Sequence, residues 1–427
     1  MINLIKEILK FNGDLKGNGE KTRVLLIALF AAMLPFDMFY TTFLFYLIAL
    51  LMLIDFNLPK IKSIPRQIWL FVFIYLLSAI GYTYSTDLWR AGYVLERQLA
   101  IIIFPILIPL SINCSKKNIL FILTVFALSC SITIGILLFH AISTLSVFEL
   151  PIKYLFTSSF FNLNFTKPIG IHPTYLSLYV SLAIIFLIDR IRAEKRATQV
   201  VIIILLSLLF IGLFFLASRT SIISTAIILL IIFPLYHIQN KGRYFMISGA
   251  LIIGLIIVAS QSTYIKSRFT SEFSADLTHN QLHYVSTDPD SRIMRWACAW
   301  ELIKQRPIFG YGTGDEISLM MKQYLKYNMM LSYKEEFNTH NQFIAILLKN
   351  GLVGLIAFVG MLLYFFRIAI QSKNFLYLSF LLILSIGFIT ENIVDANKGI
   401  FFFALFNTLL GYEILLNKNK NSESKEI

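Results

Sequence analysis

Arg219 stands in Ala217-Ser218-Arg219-Thr220-Ser221, between two apolar runs that leave almost no loop. A charged side chain at a membrane boundary is costly unless it is paired or hydrated. Its planar guanidinium can donate two hydrogen bonds to one phosphate group, whereas the structural alternative is snorkelling to lipid headgroups. His340 lies in Asn338-Thr339-His340-Asn341-Gln342, where a polar stretch meets an apolar run. Imidazole changes protonation near neutrality, so a histidine here suits removal of a proton from a sugar hydroxyl; a helix cap is the structural alternative. Arg292 and Arg295 are three apart in a helical stretch, Arg97 ends a polar loop just before the run Leu99 to Leu110, and His172 precedes Pro173 at the start of another run. Each of these four reads singly as structural. Taken together, the four arginines and two histidines all fall at one membrane interface, where they suit a diphosphate carried on a lipid.

Other signals are weaker. Phe309-Gly310-Tyr311-Gly312-Thr313-Gly314-Asp315 contains G-x-G-x-G, but no strand precedes it, and it reads as a glycine turn. Asp288-Pro289-Asp290 reads as a proline-centred turn before a helix capped at Ser291, and Asp37 is a minor candidate for an outward general base. Cys114, Cys130 and Cys298 show neither a pairing framework nor metal spacing. There is no zinc motif, P-loop or G-x-S-x-G.

The elements that must position these groups are membrane helices. Of 427 residues, 57% are hydrophobic and 14% charged, which is too apolar for a soluble chain of this size. Continuous apolar runs of about 20 residues fit a hydrocarbon core and exclude barrel strands. Twelve spans are predicted, at roughly 24–37, 39–55, 67–82, 98–112, 119–140, 173–188, 199–217, 220–237, 244–260, 342–366, 375–391 and 399–415. Gly351 weakens the tenth, so the segment from Asn341 is expected to enter obliquely and cross nearer 351–367. The stretch Ile2 to Phe11 is amphipathic and suits the membrane surface.

The net charge of +13 reflects topology rather than nucleic acid, for which no partner role is expected. Lysines and arginines crowd the loops on the side of both termini, such as Lys60, Lys62, Arg66, Lys116, Lys117, Arg190, Arg192, Lys241 and Arg243. Both termini are therefore expected in the cytoplasm, with an even number of spans. The chain divides into 1–260 (spans one to nine), 261–340 (an outer, partly helical loop) and 341–427 (spans ten to twelve and a tail). In the loop, Ser291 to Arg306 has helical spacing and Pro307 ends it.

His340-Asn341, nine residues, then Gly351-Leu352-Val353-Gly354 matches the H-[NSQ]-x9-G-x-x-[GTY] pattern of the O-antigen ligase family. Arg292 to Trp296, Pro307 to Gly314, Ser218 to Ser221 and His172 to Tyr175 also resemble features of that superfamily, which includes O-antigen polymerases. The resemblance covers about 170–420. It implies an all-α, GT-C-like polytopic glycosyltransferase of the bacterial inner membrane, acting at the periplasmic face without nucleotide, metal or other cofactor. The donor would be an undecaprenyl-diphosphate-linked glycan. His340 matches the family's proposed general base, and Arg219 and Arg292 match arginines that hold the diphosphate. Arg97, His172 and Arg295 carry over as further diphosphate-binding positions.

The leading expectation is a ligase joining a finished glycan to lipid A–core, with membrane lipids as surroundings. A polymerase of the same superfamily, with another glycan as acceptor, shares nearly every named residue, and a protein O-glycosyltransferase is a further relative. From another class, a lipid-linked oligosaccharide flippase would show internal repeats and polar residues near the midplane; here Lys349 is nearly alone there.

Overall fold

The computed structural model describes residues 18–36, 38–54, 61, 64–240, 242, 244–246, 249, 266–267, 270, 274 and 291–423. Ile2 to Phe11, Asp37, the Asp288-Pro289-Asp290 turn and most of the span expected at 244–260 lie outside these residues. Each of the other eleven expected spans falls on a helix, and no strand occurs among the described residues. The protein is an all-α, multi-pass membrane protein. Among the described residues, eight helices are long and apolar enough to cross a bilayer, and Met38–Ile54 and Phe375–Phe388 are shorter apolar helices. Large apolar side chains such as Phe39, Phe139 and Ile204 point outward, as lipid solvent permits.

We number the helices α1 (Asn18–Met33), α2 (Met38–Ile54), α3 (Trp69–Thr83), α4 (Leu88–Gln98), α5 (Ala100–Ser111), α6 (Lys116–Val147), α7 (Pro173–Arg190) and α8 (Arg196–Leu216). Helix α9 (Arg219–Ile227) continues through a π turn (Ile228–Ile232) and a last stretch (Phe233–His237). Then follow α10 (Arg292–Ile303), α11 (Glu316–Lys326), α12 (Gln342–Gln371), α13 (Phe375–Phe388) and α14 (Asn397–Glu423).

Local chemistry sets many of these starts. The side chains of Asp87, Ser115, Ser291, Asn341 and Asn374 accept hydrogen bonds from first-turn amides of α4, α6, α10, α12 and α13. Pro173 opens α7, where its missing N–H costs nothing, with His172 as cap. The core between α6, α7, α13 and α14 is a pile of aromatic rings, Phe126, Tyr179, Phe380, Phe402 and Phe406. A second core joins α10, α11 and the first turns of α12 through Met294, Cys298, Met320, Tyr324 and Leu348. The three cysteines are buried and stand as thiols rather than in a disulfide.

One detail departs from the sequence reading. Arg97 does not end a loop: it lies in the last turn of α4, which runs into α5 through Leu99. Helix α4 is amphipathic, carrying Arg90, Glu96 and Arg97 beside Trp89 and Tyr93, so a hydropathy window sees only the apolar run after it.

The glycine turn is a junction. Helix α12 breaks at Gly351, which has φ 62 and ψ −162. The break frees the Leu348 and Lys349 carbonyls to accept from Tyr311 N (3.0 Å) and Gly312 N (2.9 Å). In return, Leu352 N and Val353 N donate to Pro307 O (2.8 Å) and Ile308 O (3.3 Å). A Cβ on Gly351 would collide with the Ile308 carbonyl, and one on Gly310 with the Leu348–Lys349 backbone. Beyond the turn, Asp315 accepts from Thr86 N (2.9 Å) and Asp87 N (2.9 Å), fastening the start of α11 to the α3–α4 corner. The spacing from His340 to Gly351 is thus the distance from the start of α12 to the place where the turn between α10 and α11 is anchored.

Candidate active site

The segment 339–341 enters α12 stitched to the segment that leaves α13. Thr339 N and Oγ1 donate to Glu316 Oε1 at 3.2 and 3.0 Å. Asn341 N donates to Asn392 Oδ1 (2.9 Å), Asn392 Nδ2 to Glu316 Oε1 (3.0 Å) and Asn341 Nδ2 to Ile389 O (3.1 Å). Between these two strips His340 Nδ1 stands 3.4 Å from Glu391 Oε2. His340 has φ 46, a left-handed conformation that costs a non-glycine residue about 1–2 kcal/mol. Its amide donates to Asn338 Oδ1 (2.9 Å), and its ring meets Phe337 edge-on at 5.4 Å between centroids.

Glu391 is 7% exposed. Burial alone pushes its carboxyl up, but the hydrogen bond with His340 and the fields of His340, His172 and Arg292 outweigh that and hold it below the usual carboxylate range. An ionised carboxylate only accepts, so it draws the imidazole proton to Nδ1 and leaves Nε2 as the basic nitrogen. Of the six sequence-predicted residues, His340 thus touches Glu391, and His172 and Arg292 bear on it through their charge.

Arg97 reaches the same segment. Its Nη1 donates to Asp395 O (3.3 Å), and its guanidinium lies 3.9 Å over the Tyr93 ring. The segment itself is clamped. Gln98 Nε2 donates to Val394 O (3.2 Å), and Val394 N donates to Gln342 Oε1 (2.8 Å). Lys349 Nζ donates to both Asp395 carboxylate oxygens at 2.7 Å and stands 3.6 Å from Glu316 Oε2. Lys349, alone in the middle of an apolar run in the sequence, is 4% exposed and paired. A buried ammonium between two carboxylates avoids the cost of an uncompensated buried charge.

Arg219 is the first residue of α9, after Ala217 turns the chain with φ 47. Ser177 Oγ and Ser221 Oγ are 2.7 Å apart, joining the first turns of α7 and α9. Arg219 thus lies at the same end of the bundle as His172, partly buried. Arg295 is placed differently from Arg292. It is buried, with Nη1 3.5 Å from Ser332 Oγ and its guanidinium 5.0 Å from the centroid of Phe337, the ring that abuts His340.

Sequence reasoning missed Glu391, Asp395, Glu316 and Asn392. The span expected at 375–391 absorbed Glu391, whereas α13 ends at Phe388 and leaves the acid outside it. Glu391 and Asp395 are two acids just past an apolar run at the interface that holds the arginines, and that signal was present in the chain.

Residues 202–359 match the O-antigen ligase family. An uncharacterised protein of Haemophilus influenzae is 27% identical over 135 residues, which is 31% of this chain and 34% of that protein. The shared region is thus about a third of the relative's length. Arg219, Arg292, Arg295 and His340 fall inside the family match, and Arg97, His172 and Glu391 outside it. Over residues 202–359 the chain is thus similar to the O-antigen ligase family.

Proposed function

We propose that this protein transfers a glycan from undecaprenyl diphosphate to a hydroxyl of lipid A–core at the periplasmic face of the inner membrane. The observation that carries the reading is the pairing of a partly exposed His340 with buried Glu391, with His172 and Arg292 acting on the same carboxylate. His340 Nε2 takes the proton of the acceptor hydroxyl as that oxygen bonds the anomeric carbon. The bond from that carbon to the diphosphate oxygen breaks, and undecaprenyl diphosphate leaves with the electron pair. Glu391 holds the imidazole in its tautomer and stabilises the imidazolium that forms.

Negative charge grows on the departing diphosphate, so fixed positive groups stabilise the transition state more than the ground state. Arg219 and Arg292 serve this role, and Arg97 and His172 bring further charge from α4 and α7. Arg97 Nε has no hydrogen-bond partner among the described residues, which leaves it a donor for a phosphate oxygen. Arg295 acts on His340 through Phe337.

The test is transfer in vitro with purified protein, undecaprenyl-diphosphate-linked glycan and lipid A–core, without nucleotide and with chelator. One core-linked product from wild type is expected, reduced about 10²–10⁴-fold in His340→Ala. Full activity in that variant removes the base assignment. A ladder of longer lipid-linked glycans with no core attachment makes the protein a polymerase instead.

A further inference from the structure

At the end of the bundle away from His340, the helices leave a cavity of about 650 Å³. Helix α7 runs from the His172 cap to Asp189 at the cavity, and the α9 segment runs from Arg219 to His237. Helix α13 begins there at Phe375 and ends near Glu391. At 1.5 Å per residue, the length of α7 between these ends is about 25 Å. The transfer chemistry therefore does not reach this cavity.

Its polar lining carries both signs. Lys116, in the first turn of α6, and Lys373, between α12 and α13, are exposed at the mouth. Asp189 and Glu413 are partly buried, and Asp189 Oδ1 is 3.3 Å from His237 Nε2. A simple anion entering here meets two carboxylates that are poorly solvated, and a simple cation meets two lysines. A zwitterion satisfies both: its phosphate pairs with the lysines and its ammonium donates to the carboxylates. The remaining wall is hydrocarbon, from Leu120, Leu123, Leu235 and Leu376. A volume in this range suits a small ligand, and helix ends mark the depth of lipid headgroups.

We infer that this cavity binds the headgroup of phosphatidylethanolamine, with Lys116 and Lys373 on the phosphate, Asp189 and Glu413 on the ammonium, and an acyl chain along the leucine wall. The ammonium sets the preference. Phosphatidylcholine keeps the charges but has no N–H to donate, and phosphatidylglycerol has no cation. Two charge-assisted hydrogen bonds discriminate by about tenfold or more.

The experiment is native mass spectrometry of the full chain after delipidation and addition of each lipid in turn. Wild type is expected to retain one phosphatidylethanolamine about tenfold better than either other lipid. Asp189→Asn/Glu413→Gln should lose that preference. Lys373→Gln, an exposed change that leaves the buried groups in place, should lower phosphatidylethanolamine retention several-fold even if the double variant does not fold. Equal retention of all three lipids by wild type, or an unchanged preference in a folded double variant, overturns the inference. Unchanged retention in Lys373→Gln overturns it as well. Displacement by free phosphoethanolamine would move the ligand from a lipid to a soluble phosphorylated amine and overturn the lipid assignment.

Discussion

Replacing Glu391 by Gln removes a charge while keeping the side chain's shape. The carboxylate oxygen lies 3.4 Å from His340 Nδ1. At an effective dielectric constant of about 20, unit charges at that separation attract by about 5 kcal/mol. With the proton about half transferred in the transition state, roughly 2–3 kcal/mol of that is lost, or about a hundredfold in rate. The loss should fall on kcat at saturating donor and acceptor, with KM little changed, and Glu391→Asp should recover part of it. His340→Ala/Glu391→Gln should be no slower than His340→Ala alone, since the acid acts through the base. Glu391→Gln within a factor of about three of wild type, or losses that multiply in the double variant, would refute the argument. The pH dependence of stability has a fixed sign. Because folding lowers the Glu391 pKa, its stabilisation is complete above the ordinary carboxylate range and is lost as pH falls through the folded value. Wild type should therefore lose melting temperature below about pH 4 more steeply than Glu391→Gln.

Three further outcomes follow from the same geometry. Lys349→Met leaves Asp395 and Glu316 buried without their cation and should destabilise by about 3–5 kcal/mol in detergent unfolding, partly restored by adding Asp395→Asn; a loss under about 1 kcal/mol would show the ion cluster to be dispensable. Gly351→Ala forces a Cβ into the Ile308 backbone at a left-handed φ and should cost about 2 kcal/mol or more, read as a lower melting temperature and faster proteolysis between α10 and α12. Arg219→Lys keeps the charge but loses the bidentate fork, so transfer should fall about tenfold or more with folding intact; wild-type turnover would remove Arg219 from the diphosphate site.

The helical, membrane-embedded architecture was readable in the chain because hydropathy, caps and helix breakers act within a turn or two of themselves. Asn341, Ser291, Pro173 and Gly351 each mark a boundary through their own backbone chemistry. The tightness of the Arg219 turn and the polar entry at His340 were readable for the same reason. Only the tertiary structure decided the partners. His340 and Glu391 are 51 residues apart, and Lys349 and Asp395 are 46 apart. Arg292 and Arg295, three apart and alike in sequence, part company: one acts on Glu391, and the other is buried against Ser332 and Phe337. The physical reason is range. A backbone preference depends on near neighbours, whereas a buried charge is stable only beside a counter-charge, and which residue supplies it depends on how separate helices pack.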